Sequence, residues 1–171
     1  MSAALLVERL LPVERVTSFQ SAAVGDEVLL GLLQTARLAP SANNKQIWWF
    51  SLIREAALIA AAAQRAGLTE CAAAPVLIAA QAAPGWIKRL HKEQPFFMID
   101  VPIAMSHLSL AAREKDLAIE WVFPPEERGF QDLLGLEQGK RLVALGYCGR
   151  PAGTAPRPDV PKRVFTNEIE L

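Results

Sequence analysis

The stretch ARLAPSANNKQIWWFSLI, residues 36–53, runs from the end of a helix through a polar loop into a strand. We predict the helix over residues 26–38, capped by Asp26, because its apolar residues recur at the spacing of one helical face. Pro40 ends this helix, since proline cannot continue it. The aromatic and β-branched run of residues 48–53 favours a strand. The residues between helix and strand are therefore a short connection whose two ends are both fixed.

Helices and strands also follow one another in the rest of the sequence. Helices are predicted over residues 3–11, 55–66, 102–116 and 130–134. Strands are predicted over residues 75–80, 119–123 and 141–147. Gly67 marks a helix end, and Pro102 is expected in the first turn of its helix, where its missing N–H costs little. Because these elements mix without strict βαβ alternation, the fold class is predicted to be α+β.

Length and composition indicate one globular domain, residues 1–171, in which 51% of the residues are hydrophobic. Eighteen basic residues balance eighteen acidic ones, which argues against a nucleic-acid partner. No apolar run reaches the roughly 18 residues of a membrane span, so we expect no membrane partner and a cytoplasmic location. Two cysteines and two histidines are too few for a disulfide framework or a histidine-rich metal site.

The sequence lacks the common catalytic fingerprints, and two polar clusters remain. It contains no GxGxxG after a strand, no P-loop, no HExxH and no GxSxG. The first cluster, residues 40–46, combines a hydroxyl, three amides and an ammonium group, which suits hydrogen bonding around a polar heterocycle. The alternative is a solvated turn. The second cluster, Lys162 and Arg163, either grips a phosphate or is a solvated pair.

Residues 36–50 resemble the nitroreductase family of FMN-dependent, NAD(P)H-using oxidoreductases. In that family a helix ends in A-P-S/T-S/A and is followed by N-x-Q-P-W and a strand. The matching residues here are Ala39, Pro40, Ser41, Ala42, Asn44, Gln46 and Trp48. Residues 100–122 resemble the family's D-x-x-I-A helix and the strand after it. Residues 145–170 resemble its L-G-Y-P segment, proline-rich linker and basic pair. Because the three matches occur in family order, the chain is identified as a short, divergent member.

The resemblance implies an α+β fold with a central, mostly antiparallel sheet flanked by helices, assembled as an intertwined homodimer. FMN would lie at the dimer interface, where NAD(P)H reduces it and a nitroaromatic, quinone or related small molecule takes up the electrons. No catalytic side chain is implied, because the cofactor performs the redox chemistry. Residues 151–171 are expected to form an extended, proline-rich C-terminal arm that wraps the partner subunit.

The resemblance also assigns cofactor-binding residues. Those expected near the flavin and ribityl groups are Pro40, Ser41, Ala42, Asn44 and Gln46. The backbone of Val122 and Phe123 is expected to donate an N–H toward flavin N5. Lys162 and Arg163 are expected to contact the phosphate.

The chain departs from the family at the opening motif R-R-S-x-R-x-F, whose arginines hold the phosphate. When the motif is aligned on its phenylalanine, the arginine positions fall on Val13, Glu14 and Thr17. Arg15 and Thr17 are therefore the residues of this segment assigned to the cofactor. Pro124 replaces a glycine and offers no N–H. These departures leave two alternatives open: a flavin-binding or degenerate nitroreductase-like dimer without turnover, and a structural dimerisation domain.

Overall fold

The structure is a computed structural model that describes residues 14–83 and 95–156. The helix predicted over residues 3–11 and the basic pair Lys162 and Arg163 lie outside the described residues. The strands are β1 (Arg15–Phe19), β2 (Trp48–Ile53), β3 (Val76–Ala82), β4 (Ala118–Val122), β5 (Arg141–Gly149) and β6 (Pro151–Ala155). The helices are α1 (Asp26–Ala36), α2 (Ala56–Ala66), α3 (Phe97–Arg113) and α4 (Glu127–Leu134).

Four of the strands form an antiparallel sheet in the order β2-β3-β5-β4, and β1 pairs with β6 in a separate two-stranded sheet. Because neighbouring strands run in opposite directions, the start of β2 and the end of β4 lie at the same end of the sheet. They lie on its opposite edges. The predicted α+β class and the mostly antiparallel sheet are confirmed.

Both faces of the four-stranded sheet are covered. Helices α1 and α3 pack on one face, where Leu32 and Leu108 are buried in a common core. Helices α2 and α4 pack on the other face together with β1, where Ile59 and Phe130 are buried. All seven residues of β3 are buried. This confirms the predicted strand over residues 75–80 and shows that both of its sides are covered.

Helix α1 lies where it was predicted but is not capped as predicted. Gly25 is its N-cap residue, and no side chain makes a capping hydrogen bond. The Asp26 carboxylate instead pairs with the guanidinium of Arg54, which follows β2. Asp26 thus ties the helix to the strand end rather than capping it. Helix α2 ends as predicted at Gly67, whose φ of 69° is the left-handed conformation that glycine adopts without strain.

Helix α3 begins at Phe97, ahead of the predicted start at Pro102. The prediction that Pro102 lies in the first turn is therefore wrong, because the buried residues Phe97 and Val101 add a turn before it. Pro102 lacks the N–H that would bond to the Met98 carbonyl. The first turn of α3 is consequently positioned by contacts with other elements rather than by a complete helical ladder.

Strand β6 forms the beginning of the segment expected to be a C-terminal arm. Residues 151–155 are extended, as predicted, and they pair antiparallel with β1 of the same chain. Pro151 opens the strand, a position at which proline's missing N–H removes no essential ladder bond. This part of the segment therefore lies on its own subunit, and residues 157–171 lie outside the described part.

Candidate functional site

The Pro40–Gln46 loop connects α1 to β2 and closes on itself through hydrogen bonds. Ala42–Asn44 form one 3-10 turn, in which Asn44 N donates to the Ser41 carbonyl at 2.9 Å. Gln46 N donates to Ser41 Oγ at 3.0 Å. The two ends of the loop are joined in this way, so the connection has a defined shape, while residues 43–46 remain exposed to solvent.

Three residues of the loop have left-handed backbone conformations. The φ angles are 51° at Asn43, 55° at Asn44 and 48° at Gln46. Asparagine tolerates this region better than most residues, whereas glutamine does not. The bond from Gln46 N to Ser41 Oγ helps to hold this conformation. Non-glycine residues in such conformations are concentrated at functional sites, where surrounding contacts maintain them.

The hydrogen bonds within the loop determine which polar groups remain available to a ligand. Ser41 Oγ accepts from Gln46 N, so the hydroxyl hydrogen is what Ser41 can offer. The Asn44 carboxamide oxygen accepts from Gln46 Nε2 at 2.9 Å, which leaves the Asn44 NH₂ group to donate. Lys45 adds an exposed ammonium group. The side chains of Ser41, Asn44 and Lys45 therefore present donors, which suit a ligand rich in acceptor atoms.

Ala42 is fixed by a residue that the sequence analysis did not assign to the site. Its backbone N–H lies 3.1 Å from Asp100 Oδ1 and 3.2 Å from Asp100 Oδ2. Asp100 stands in the first turn of α3 and is 2% exposed. Its only signal in the sequence was the acidic first position of the motif in residues 100–122. The carboxylate thus joins the loop to the central helix.

Arg15 and Thr17 lie on β1, away from the loop. The Arg15 guanidinium pairs with the Glu70 carboxylate, so a phosphate at this position would compete with Glu70. The Thr17 hydroxyl faces the backbone of Gly153 on β6. Strand β1 reaches the sheet at β4, where Glu120 accepts from the β1 backbone. The loop precedes β2 at the other edge, so one subunit does not bring the two predicted regions together.

Val122 and Phe123 lie at the end of β4, at the same end of the sheet as the loop. Strands β3 and β5 separate the two regions, which corresponds to roughly 14 Å at about 4.8 Å per strand. Phe123 is 65% exposed. Because β4 is an edge strand, alternate backbone N–H groups face away from β5. The strand end is therefore accessible to a ligand but distant from the loop of its own chain.

Basic and aromatic side chains meet at this end of the sheet. Lys140 Nζ lies 4.6 Å from the centre of the Trp49 ring, and Arg141 Cζ lies 5.7 Å from that of Phe97. An open depression of about 280 Å³ is lined by Glu127, Arg128, Gln131, Gln138, Lys140 and Arg141. Arg141 also bonds to Glu127 at 2.8 Å. Since Arg141 pairs with Glu127 and Lys140 pairs with Glu137, we assign no ligand to the depression.

Both cysteines are buried and remain protonated at neutral pH. Burial raises the pKa of the Cys71 thiol to about 12, with a further increase from the Glu70 charge. Burial also raises the pKa of Cys148 to about 12. Neither thiol is therefore a reactive thiolate. Over residues 14–83 and 95–156, three or more metal-ligating side chains do not come together anywhere, and the helices described there are too short or too polar to cross a membrane.

This chain is similar in sequence and in fold to proteins described as nitroreductases. A protein of Archaeoglobus fulgidus named "Putative NADH dehydrogenase/NAD(P)H nitroreductase" is 28% identical over 135 residues, which are 72% of this chain and 74% of that protein. A nitroreductase-like protein from Streptococcus mutans superposes with a TM-score of 0.84 at 18% identity, covering 98% of each chain. An FMN-dependent nitroreductase from Clostridium difficile superposes with a TM-score of 0.72 at 19% identity, covering 90% of this chain and 94% of the other.

The two structural likenesses show the same fold as this chain. The model of the nitroreductase family matches residues 16–150, which include the Pro40–Gln46 loop, Asp100 and the end of β4. This span is most of the chain. The chain belongs to the nitroreductase family.

Proposed function

We propose that the protein is an FMN-dependent oxidoreductase of the nitroreductase type, which uses NAD(P)H to reduce a nitroaromatic, quinone or related small molecule. The single observation that carries the proposal is the set of outward hydrogen-bond donors on the Pro40–Gln46 loop. FMN is proposed because the Clostridium difficile neighbour is described as FMN-dependent. NAD(P)H is proposed because the Archaeoglobus relative is named an NAD(P)H nitroreductase. A cytoplasmic location is part of the same proposal.

The loop chemistry fits a flavin. The flavin ring and ribityl chain carry several oxygen and nitrogen acceptors, and the Ser41 hydroxyl and Asn44 NH₂ group are donors that can bond to them. The Ala42 N–H already donates to Asp100, so Ala42 would touch the flavin ring by van der Waals contact only. Pro40 and Gln46 border these residues. When bound, FMN supplies the redox chemistry by taking electrons from NAD(P)H and passing them to the acceptor; the protein binds and orients it.

The proposed site needs two subunits. The loop and the backbone of Val122 and Phe123, which we propose to face flavin N5, lie on opposite edges of the sheet. In a homodimer the loop of one subunit can meet the strand end of the other. The outward face of α3 supports such an assembly, because Ile99 and Leu110 are 51% and 44% exposed and follow helical spacing.

Charge for the FMN phosphate is proposed to come from Lys162 and Arg163. Two of the family's N-terminal arginine positions hold Glu14 and Thr17, and Arg15 is paired with Glu70. Lys162 and Arg163 retain the cationic and bidentate chemistry that a phosphate requires. Arg15 and Thr17 are proposed as secondary contacts of the cofactor.

The absorption spectrum of the purified protein tests the proposal. We expect flavin bands that persist through gel filtration, either as isolated or after addition of FMN, and steady reduction of a quinone by NADH or NADPH. A colourless protein that does not retain added FMN contradicts the proposal.

One observation favours a second candidate, a flavin-binding dimer without turnover. Pro124 offers no N–H beside the proposed N5 contact. Bound flavin that neither NADH nor NADPH reduces would support this candidate, whereas steady quinone reduction would exclude it.

A further inference from the structure

We propose that Asp100 is a positioning residue for the cofactor, a role that rests on the proposed function. Its carboxylate holds the Ala42 N–H and thereby sets the orientation of Ser41 and Asn44 toward the flavin. Asp100 itself would not touch the ligand, because it is 2% exposed and lies behind the loop.

Asp100 contacts the loop at Ala42, the residue at which the 3-10 turn begins. Both carboxylate oxygens lie within 3.2 Å of the same N–H. Ala42 opens the 3-10 turn, so fixing its nitrogen fixes the turn that carries Asn44. Ser41 precedes it directly and closes the loop through Gln46 N. One hydrogen bond therefore controls the placement of both donor side chains.

The position of Asp100 is itself set by tertiary contacts. Pro102 interrupts the helical hydrogen bonds just after the first turn of α3. The neighbouring Phe97 and Val101 are buried in the core, and Arg141 lies over the Phe97 ring. The first turn is thus anchored to the sheet, and a carboxylate carried on it is a rigid support for the loop. Burying a carboxylate destabilises the folded state unless the carboxylate is hydrogen-bonded. The bond from Ala42 N therefore also stabilises Asp100 in its buried position.

The test compares Asp100→Ala, which removes the acceptor, with Asp100→Asn, whose carboxamide oxygen still accepts from Ala42 N. Flavin fluorescence titration should show affinity for FMN and for riboflavin reduced about tenfold in Asp100→Ala, since the loss of one hydrogen bond is of that size. Asp100→Asn should retain affinity within about threefold. Amide hydrogen exchange at Ala42 in the flavin-free protein should become faster only in Asp100→Ala.

Leu108→Ala is the matched control, because Leu108 is buried on the same helix but lies two turns beyond Asp100. It should lower the melting temperature while leaving flavin affinity within about threefold. Equal losses of affinity in Leu108→Ala and Asp100→Ala would show that general destabilisation is the cause and would overturn the proposal.

Ala42→Pro removes the same hydrogen bond from the other side and carries the test if Asp100→Ala does not fold. Ser41 has an extended backbone, φ −143° and ψ 156°, as a residue before proline requires. We expect a similar loss of affinity, and no added loss when Ala42→Pro is combined with Asp100→Ala. If the wild-type protein binds flavin and both Asp100→Ala and Ala42→Pro bind it with the wild-type affinity, the proposed role of Asp100 is wrong. The proposed function is then unaffected. Wild-type protein that binds no flavin overturns the proposed function, and the role of Asp100 with it.

Discussion

The Trp121 ring packs directly on the backbone of Gly146, its partner across β4 and β5. A Cβ atom at Gly146 would lie 2.6 Å from Trp121 Cζ3, closer than two carbon atoms can approach. Trp121 cannot move away freely, because its Nε1 donates to Ser109 Oγ on α3 at 2.8 Å. The glycine is therefore required by the close approach of the Trp121 ring to the backbone of β5.

Gly146→Ala should lower the free energy of unfolding by about 1–3 kcal/mol, because an added methyl group in a tightly packed core forces its neighbours out of place. Chemical denaturation measures the change. Gly31→Ala on α1 is the control, since nothing lies within 4 Å of the added Cβ. It should stabilise the protein by about 0.5–1 kcal/mol, as alanine favours a helix over glycine. A neutral Gly146→Ala would show that β4 is loosely held.

Arg163→Ala should weaken binding of FMN by about ten- to a hundredfold and leave riboflavin almost unaffected, because riboflavin lacks the phosphate that the guanidinium would hold. Ser41→Ala should weaken both ligands by similar factors, since the hydroxyl addresses the ring. Fluorescence titration of each variant with both ligands measures the difference. Equal losses for the two ligands in Arg163→Ala would show that this residue does not hold the phosphate.

Leu110→Asp should weaken the proposed homodimer about tenfold or more, because it places a charge on the outward apolar face of α3. Leu30→Asp is the matched control, since Leu30 is an equally apolar, 58% exposed residue on α1. Light scattering over a range of concentrations measures the mass of each variant. An unchanged dimer in Leu110→Asp would exclude this face as the interface.

Removal of residues 157–171 tests the arm itself while keeping β6 in place. We expect a destabilised or monomeric protein, because the segment is proposed to wrap the partner subunit. A truncated protein with the dimer mass and melting temperature of the full chain would remove the support for the arm.

The two cysteines should not react with a thiol reagent at pH 8 in the folded protein and should both react after denaturation. Burial raises their pKa values to about 12 from an ordinary value of 9.0. Because the folded state holds these protons more tightly, the thiols contribute stability that is fully present below pH 9. This contribution is lost as the pH rises from 9 toward 12. Rapid labelling of Cys71 or Cys148 without unfolding would contradict the burial.

Local sequence signals predicted the regular elements well. The aromatic, β-branched run of residues 48–53 is a strand, and Gly67 ends a helix, because both depend on neighbouring residues alone. The interactions that define the site could not be read in this way. Ala42 and Asp100 are 58 positions apart, and no local pattern announces their hydrogen bond. An aspartate carboxylate can cap a helix, but the Asp26 carboxylate pairs with the Arg54 guanidinium just after β2 instead.

The ribbon formed by β1 and β6 couples the opening of these two strands. Arg15 stands opposite Ala155, and Phe19 stands opposite Pro151, so the first residue of β1 and the last residue of β6 lie side by side. Val16 and Phe19 bury the ribbon against the rest of the molecule. If the ribbon opens as a local unfolding unit, both strands separate from the core together. A second molecule that binds one of these strands in its folded position therefore also slows the opening of the other.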